Sequence, residues 1–145
     1  MTAINLCPIN AKNMGDAREW ALCNYFGCTR CKHDKTPYDQ GSDISVNGMD
    51  ISVKSSAFTL MAGNLCEGRE TFDGIWSLYA ERVHSNTFAY ITTDFTAYIM
   101  NIDEFCQFVY NFCYIERDSE KNGGKMKIRC KKESQKMRKW LAAVA

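Results

Sequence analysis

Ser42-Asp43-Ile44-Ser45-Val46-Asn47-Gly48-Met49-Asp50-Ile51-Ser52-Val53-Lys54 reads as a β-hairpin. Asn-Gly between alternating runs is the strongest short hairpin signal, because both residues accept the positive φ of a type I′ turn. The turn predicts strands over 43–46 and 49–55. Side chains alternate faces along a strand, so Met49, Ile51 and Val53 point one way and Asp50, Ser52 and Lys54 the other. In the preceding strand Asp43 and Ser45 likewise oppose Ile44 and Val46. The antiparallel turn brings Asp43 close to Ser52 or Lys54. A carboxylate beside a lysine on a half-buried sheet suits a divalent cation and a water: the carboxylate supplies hard oxygen, and the ammonium positions or stabilises the nucleophile.

Outward from the hairpin, apolar spacing predicts a helix over 14–26, with Asn13 or Asp16 to cap it, Ala17, Trp20, Ala21 and Asn24 on one stripe, and Gly27 to stop it. A second helix follows over 72–83. β-Branched and aromatic residues predict strands over 87–92 and 95–100. Ile102, Phe105, Cys106, Val109 and Phe112 mark a third, buried helix. The polar run 116–124 reads as a loop, 125–132 as a strand, and 133–144 as a last helix with Met137, Trp140, Leu141 and Val144 inward. Trp20, Trp76 and Trp140 are expected in the core. The order is α-β-β-α-β-β-α-β-α, an α/β (α+β) class with a mixed central sheet flanked by helices.

Length fits a single domain over 1–145. With 46% apolar and 24% charged residues the composition is that of a globular chain, neither disordered nor membrane-spanning. Residues 1–13 lack the pattern of an export signal, which predicts a cytoplasmic location and reduced thiols for the eight cysteines. Cys106 and Cys113 then read as small core residues. The net charge of +1 conceals an asymmetry. Residues 121–145 carry nine Lys or Arg and one Glu, leaving nine basic and 16 acidic side chains over 1–120. Such a tail points to a polyanionic partner, since cations gain by displacing condensed counterions from phosphates. Lys125, Lys127, Arg129, Lys131, Lys132, Lys136, Arg138 and Lys139 are the residues expected to track a DNA backbone without reading bases.

In these motifs the chain resembles the PD-(D/E)xK nuclease superfamily, the restriction-endonuclease-like fold. Gly41-Ser42-Asp43 stands where that family has its first acid, Ser52-Val53-Lys54 where it has acid-x-Lys, and Glu19 where it has an upstream helical acid. The predicted order of helix, hairpin, helix and strand through about residue 92 matches the family core, and the basic tail lies outside it. The resemblance implies a metal-dependent endonuclease hydrolysing DNA phosphodiester bonds. Its site would comprise Asp43, Lys54, Glu19, Asp50 and Ser52, with Asp43, Glu19 and Asp50 on Mg²⁺ or Mn²⁺ and Lys54 orienting the attacking water. Ser52 departs from the pattern, and Asp50 or Glu19 would supply the missing carboxylate. A homodimer or a protein partner would provide specificity.

Two other readings stand beside this one. A decayed hairpin would leave a non-catalytic nucleic-acid-binding or interaction protein. Cys23, Cys28, Cys31 and His33 have the count and softness for a tetrahedral Zn²⁺ site, which would make the chain a zinc-stabilised structural domain.

Overall fold

The computed structural model describes residues 1–30, 42–61, 71–117 and 126–145. The chain runs β1 (Thr2–Asn5), α1 (Met14–Phe26), β2 (Ile44–Val46), β3 (Met49–Lys54), β4 (Thr59–Met61), α2 (Phe72–Arg82), β5 (Thr87–Ile91), β6 (Thr96–Met100), α3 (Ile102–Phe112), β7 (Cys113–Arg117), β8 (Met126–Cys130) and α4 (Gln135–Val144). It is a mixed α+β architecture with two sheets. The larger has strand order β1-β6-β5-β3-β2 and the smaller β4-β8-β7. All neighbours are antiparallel except β3 and β5, which α2 connects as a parallel pair. Among the described residues no helix is long and apolar enough to cross a membrane.

The hairpin forms as its turn chemistry dictates. Asn47 and Gly48 both take positive φ, 50° and 76°, and Ile44 pairs with Ile51. α1 begins where Asn13 accepts the Asp16 N–H on its side chain (2.8 Å) and ends at Gly27 in the left-handed region. α3 opens with a reciprocal capping box between Asn101 and Glu104.

Pleat parity divides the core into two layers. Ile44, Ile51, Ala89, Ile91 and Ala97 face α1 through Ala17, Ala21 and Leu22. Phe88, Tyr90, Tyr98 and Met100 face the other way, onto α2, α3, α4 and the smaller sheet. There Phe88 and Phe105 stack with ring centroids 4.3 Å apart. β5 is buried on both faces, which explains why Thr-Phe-Ala-Tyr-Ile lacks polar alternation.

Three strands were not expected from the sequence: β1, β4 and β7, the last occupying part of the supposed loop 116–124. The basic segment is also less peripheral than its charge suggests. β8 is the central strand of the smaller sheet, and Met126, Ile128, Cys130, Met137 and Leu141 belong to the larger core. α4 starts at Gln135 with Ser134 as its cap, and Val144 faces outward. Trp20 is 42% exposed, because the stripe of α1 that meets the sheet is Ala17, Arg18, Ala21 and Leu22. Its ring instead lies under the Arg30 guanidinium, 5.6 Å from the centroid.

The Tyr79 hydroxyl is enclosed, and among the described residues it has no hydrogen-bond partner. A buried unsatisfied hydroxyl costs about 1–3 kcal/mol, so Tyr79→Phe should raise unfolding stability by about 1 kcal/mol. Urea titration would show this as a higher midpoint at constant m-value, and a lower midpoint would mean that the hydroxyl has a partner.

Candidate active site at the end of the parallel strand pair

Asp43 precedes β2 by one residue and ends the ladder with β3. Its backbone N–H donates to the Ile51 carbonyl (2.9 Å), while its Oδ2 accepts the Val53 N–H (2.8 Å) in place of a backbone carbonyl. This holds the carboxylate beside the last residues of β3. Lys54 closes that strand, paired with Tyr90 of β5. Glu19, one turn into α1, is half-buried and accepts the Arg30 guanidinium at 2.6 Å, an ion pair that Arg30 extends to Asp16 at 2.9 Å.

Electrostatics join these groups. Burial pushes the Lys54 ammonium below the usual lysine range, and the charges of Asp43 and Glu19 pull it partly back. Burial and then Asp43 push the Tyr79 phenol above its ordinary range. One cation therefore lies within the fields of two carboxylates at the carboxyl end of β3. In open α/β sheets this end of parallel strands is where loops can converge on a ligand.

Ser52 is buried two residues before Lys54. Asp50 stands apart. It pairs with Ser45 next to the turn, accepts the Ser45 hydroxyl at 2.7 Å, and donates its N–H to Asn86 Oδ1 at 2.9 Å. Four residues of strand separate it from Lys54, about 13 Å at ~3.3 Å per residue, so it does not reach the end of β3 that carries Lys54. Asp43 is tied to the end of β3 through the Val53 N–H, and Lys54 feels the charges of Asp43 and Glu19. Among the described residues no group of three or more His, Cys, Asp or Glu is placed to hold a metal ion.

The cysteine cluster is only partly in view. At the end of α1, burial first, then the neighbouring Cys28, pushes the Cys23 thiol up to about 12. Cys31 and His33 lie outside the described residues.

Of the basic residues, Lys125 also lies outside the described residues. Lys127 and Arg129 are half-buried on β8, Arg129 within 3.7 Å of Glu116, and Lys131, Lys132, Lys136, Arg138 and Lys139 are exposed. The segment carrying Lys131 and Lys132 crosses the end of β3. Cys130 donates its N–H to the Phe58 carbonyl (2.8 Å), and Glu133 donates its N–H to the Ser56 hydroxyl (3.0 Å). The Glu133 carboxylate, in turn, accepts the Thr93 N–H (3.1 Å) and hydroxyl (2.7 Å) just beyond β5. The tail is fastened to the end of the sheet that bears Asp43 and Lys54.

No protein-family model matches the chain, and comparison with curated proteins and with solved structures finds no match.

Two groups at this end were missed by the sequence reading. Glu133, the single acid of the tail, serves as its clip. Arg18 is 5% exposed on the inward stripe of α1. Its signal was present: Arg18 and Leu22 are four residues apart and share a helix face with Ala17 and Ala21. Placing the bulkier Trp20 inward rotated the stripe and hid it.

Proposed function

We propose that the chain is a metal-dependent endonuclease with a restriction-endonuclease-like core, acting on DNA phosphodiester bonds. The observation that carries this reading is the Asp43 carboxylate held beside the end of β3 by the Val53 N–H, with Lys54 closing that strand under the charges of Asp43 and Glu19. The helix, hairpin, helix and strand order of α1, β2–β3, α2 and β5 supports it, as does the basic segment fastened beside that end.

The donor set fits Mg²⁺ or Mn²⁺. Mg²⁺ is commonly held by one or two carboxylates and completes its shell with water and phosphate oxygens, so Asp43 and Glu19 would hold it where Ser52 supplies no acid. When bound, the cation supplies Lewis-acid polarisation of a phosphate and a more acidic water. The chain's own residues do the positioning. The Val53 N–H orients Asp43, and Arg30 orients Glu19. Lys54 presents an ammonium, partly stripped of water, to the attacking oxygen and to the charge that develops on the phosphate. Lys131 and Lys132 draw the DNA backbone to this end without reading its sequence. Specificity would come from a second copy or another protein partner.

Asp43→Ala tests the reading. Calorimetric titration of the wild-type chain with Mg²⁺ or Mn²⁺ should give a saturable binding heat that the variant lacks, and DNA cleavage should vanish with it. Ser52 in the acid position, with no three-ligand cluster among the described residues, favours a second reading: a DNA-binding module without catalysis. That reading expects DNA affinity unchanged by chelator and by Asp43→Ala.

A further inference from the structure

Cys113 and Cys130 stand directly opposite each other where β7 meets β8. Backbone hydrogen bonds fix the kind of pair they form. The Lys131 N–H donates to the Phe112 carbonyl (2.9 Å), one residue outside the pair on each strand. The Cys113 N–H turns back to the Val109 carbonyl of α3, and the Cys130 N–H turns away to the Phe58 carbonyl (2.8 Å). Neither amide joins the β7–β8 ladder, so the two cysteines occupy a non-hydrogen-bonded position. Opposed side chains in an antiparallel pair lie closest there, with Cα atoms about 4.5 Å apart, inside the range of about 4.4–6.8 Å that a disulfide requires.

Both side chains also lie on the same face. Strand alternation puts Cys113 and Cys130 with the pair Ile115 and Ile128, and that face is turned to the larger core, where Cys130 and Ile128 are buried and Cys113 and Ile115 pack against them. Both thiols are free. They differ in access: Cys130 is 1% exposed, whereas Cys113 is half-buried.

We propose that Cys113 and Cys130 form a reversible cross-strand disulfide by exchange with a small-molecule disulfide such as oxidised glutathione. Cys113, the accessible thiol, attacks one glutathione sulfur as the thiolate, the glutathione S–S bond breaks, and one glutathione thiolate leaves. Cys130 then attacks Sγ of Cys113, forming the protein S–S bond and releasing the second glutathione. The two cysteine sulfurs are oxidised, one glutathione disulfide is reduced to two thiols, and those thiols take up the two protons that the cysteines lose. Cys130 first, and then burial, push the Cys113 thiol above its ordinary range, so thiolate is scarce at neutral pH and the exchange is slow there. The bond ties the end of α3 to the residue before Lys131 and closes the loop 113–130.

Incubating the reduced full chain with oxidised glutathione to equilibrium under native conditions, followed by peptide mapping in a mass spectrometer and by thermal unfolding, tests this. The map should show Cys113 joined to Cys130. The melting temperature should rise by about 5–10 °C, the gain expected for closing a loop of this length in a chain of this size, and dithiothreitol should reverse both changes. The linkage rate should climb about tenfold per pH unit between pH ~7 and ~9, following the thiolate. Cys113→Ala and Cys130→Ala should each abolish the linkage and the thermal gain. Mapping the wild-type chain decides the matter even where a variant fails to fold. Cys113 and Cys130 both remaining free after other cysteines have reacted overturns the proposal, as does a Cys23–Cys28 linkage in its place or Cys113 halted as a mixed disulfide with glutathione. A Cys113–Cys130 linkage that lowers the melting temperature overturns it too, because the native pair would then not accommodate the bond. Neither DNA nor a metal ion enters these measurements, so the latch stands or falls apart from the nuclease reading.

Discussion

Exchanging Lys54 for methionine should lower the rate of DNA cleavage about 10²–10³-fold, the usual loss when one group stabilising transition-state charge is removed. The effect should fall on kcat more than on KM, since the basic segment proposed to gather DNA is untouched. Methionine keeps most of the aliphatic stem, so a collapse of cleavage accompanied by unfolding would count against a catalytic role. A second readout is pH. With Lys54 pushed below the ordinary value of 10.5, the unfolded chain retains a proton over the interval between the two values that the native chain has already released. Stability tracks the excess of protons bound by the unfolded state, so this residue makes wild-type stability climb as pH rises through that interval. The methionine variant should lack that climb. The difference between the two chains in denaturant titrations isolates it, because the raised thiols of Cys23, Cys106 and Cys113 and the raised phenols of Tyr79 and Tyr90, which act with the opposite sign, are common to both. Identical pH profiles for the two chains would show that Lys54 is not buried as described.

The second large effect concerns Glu133. Its carboxylate is 4% exposed and accepts from the Thr93 N–H, the Thr93 hydroxyl and the Arg138 guanidinium, while its backbone N–H holds Ser56. Hydrogen bonds to a charged group contribute about 1.5–3 kcal/mol each, and water replaces part of that at the exposed Thr93. Glu133→Ala should therefore cost about 3 kcal/mol, and Glu133→Gln, which keeps an acceptor, clearly less. Equilibrium unfolding measures both, and a loss under ~1 kcal/mol for alanine would mean that α4 is held by Met137 and Leu141 alone. The same variant should weaken the proposed DNA binding through Lys131 and Lys132, whose place beside the end of β3 depends on this clip.

What the sequence made legible was local. Asn47-Gly48 fixed the hairpin because a type I′ turn is a property of two adjacent residues, and Asn13 with Gly27 bounded α1 because capping acts within a few residues. β1, β4 and β7 escaped because short strands take their identity from their partners. Thr2–Asn5 is mostly exposed with no alternation, β4 has three residues, and β7 follows α3 directly at Cys113 with no turn residue to announce it. The site divides similarly. Asp43 and Lys54 could be paired from the hairpin alone, and Glu19 from the resemblance. Asp50 shares a face with Lys54 but not an end, a distinction that face alternation does not capture. Arg18 was passed over, despite sharing a face with Leu22, because a charged side chain on an apolar helical stripe is ordinarily assigned to solvent.

The larger sheet is closed by β1, whose Thr2 pairs with Ile99 of β6. About two thirds of the chain separates the two, whereas β2 and β3 meet across a two-residue turn. Loop-closure entropy makes the hairpin cheap to nucleate and the β1–β6 pairing expensive, so β1 is expected to find its seat late. Until it does, β6 offers an open hydrogen-bonding edge that the same segment of another molecule can occupy, which makes exchange of the amino-terminal strand between copies the characteristic misassembly of this topology.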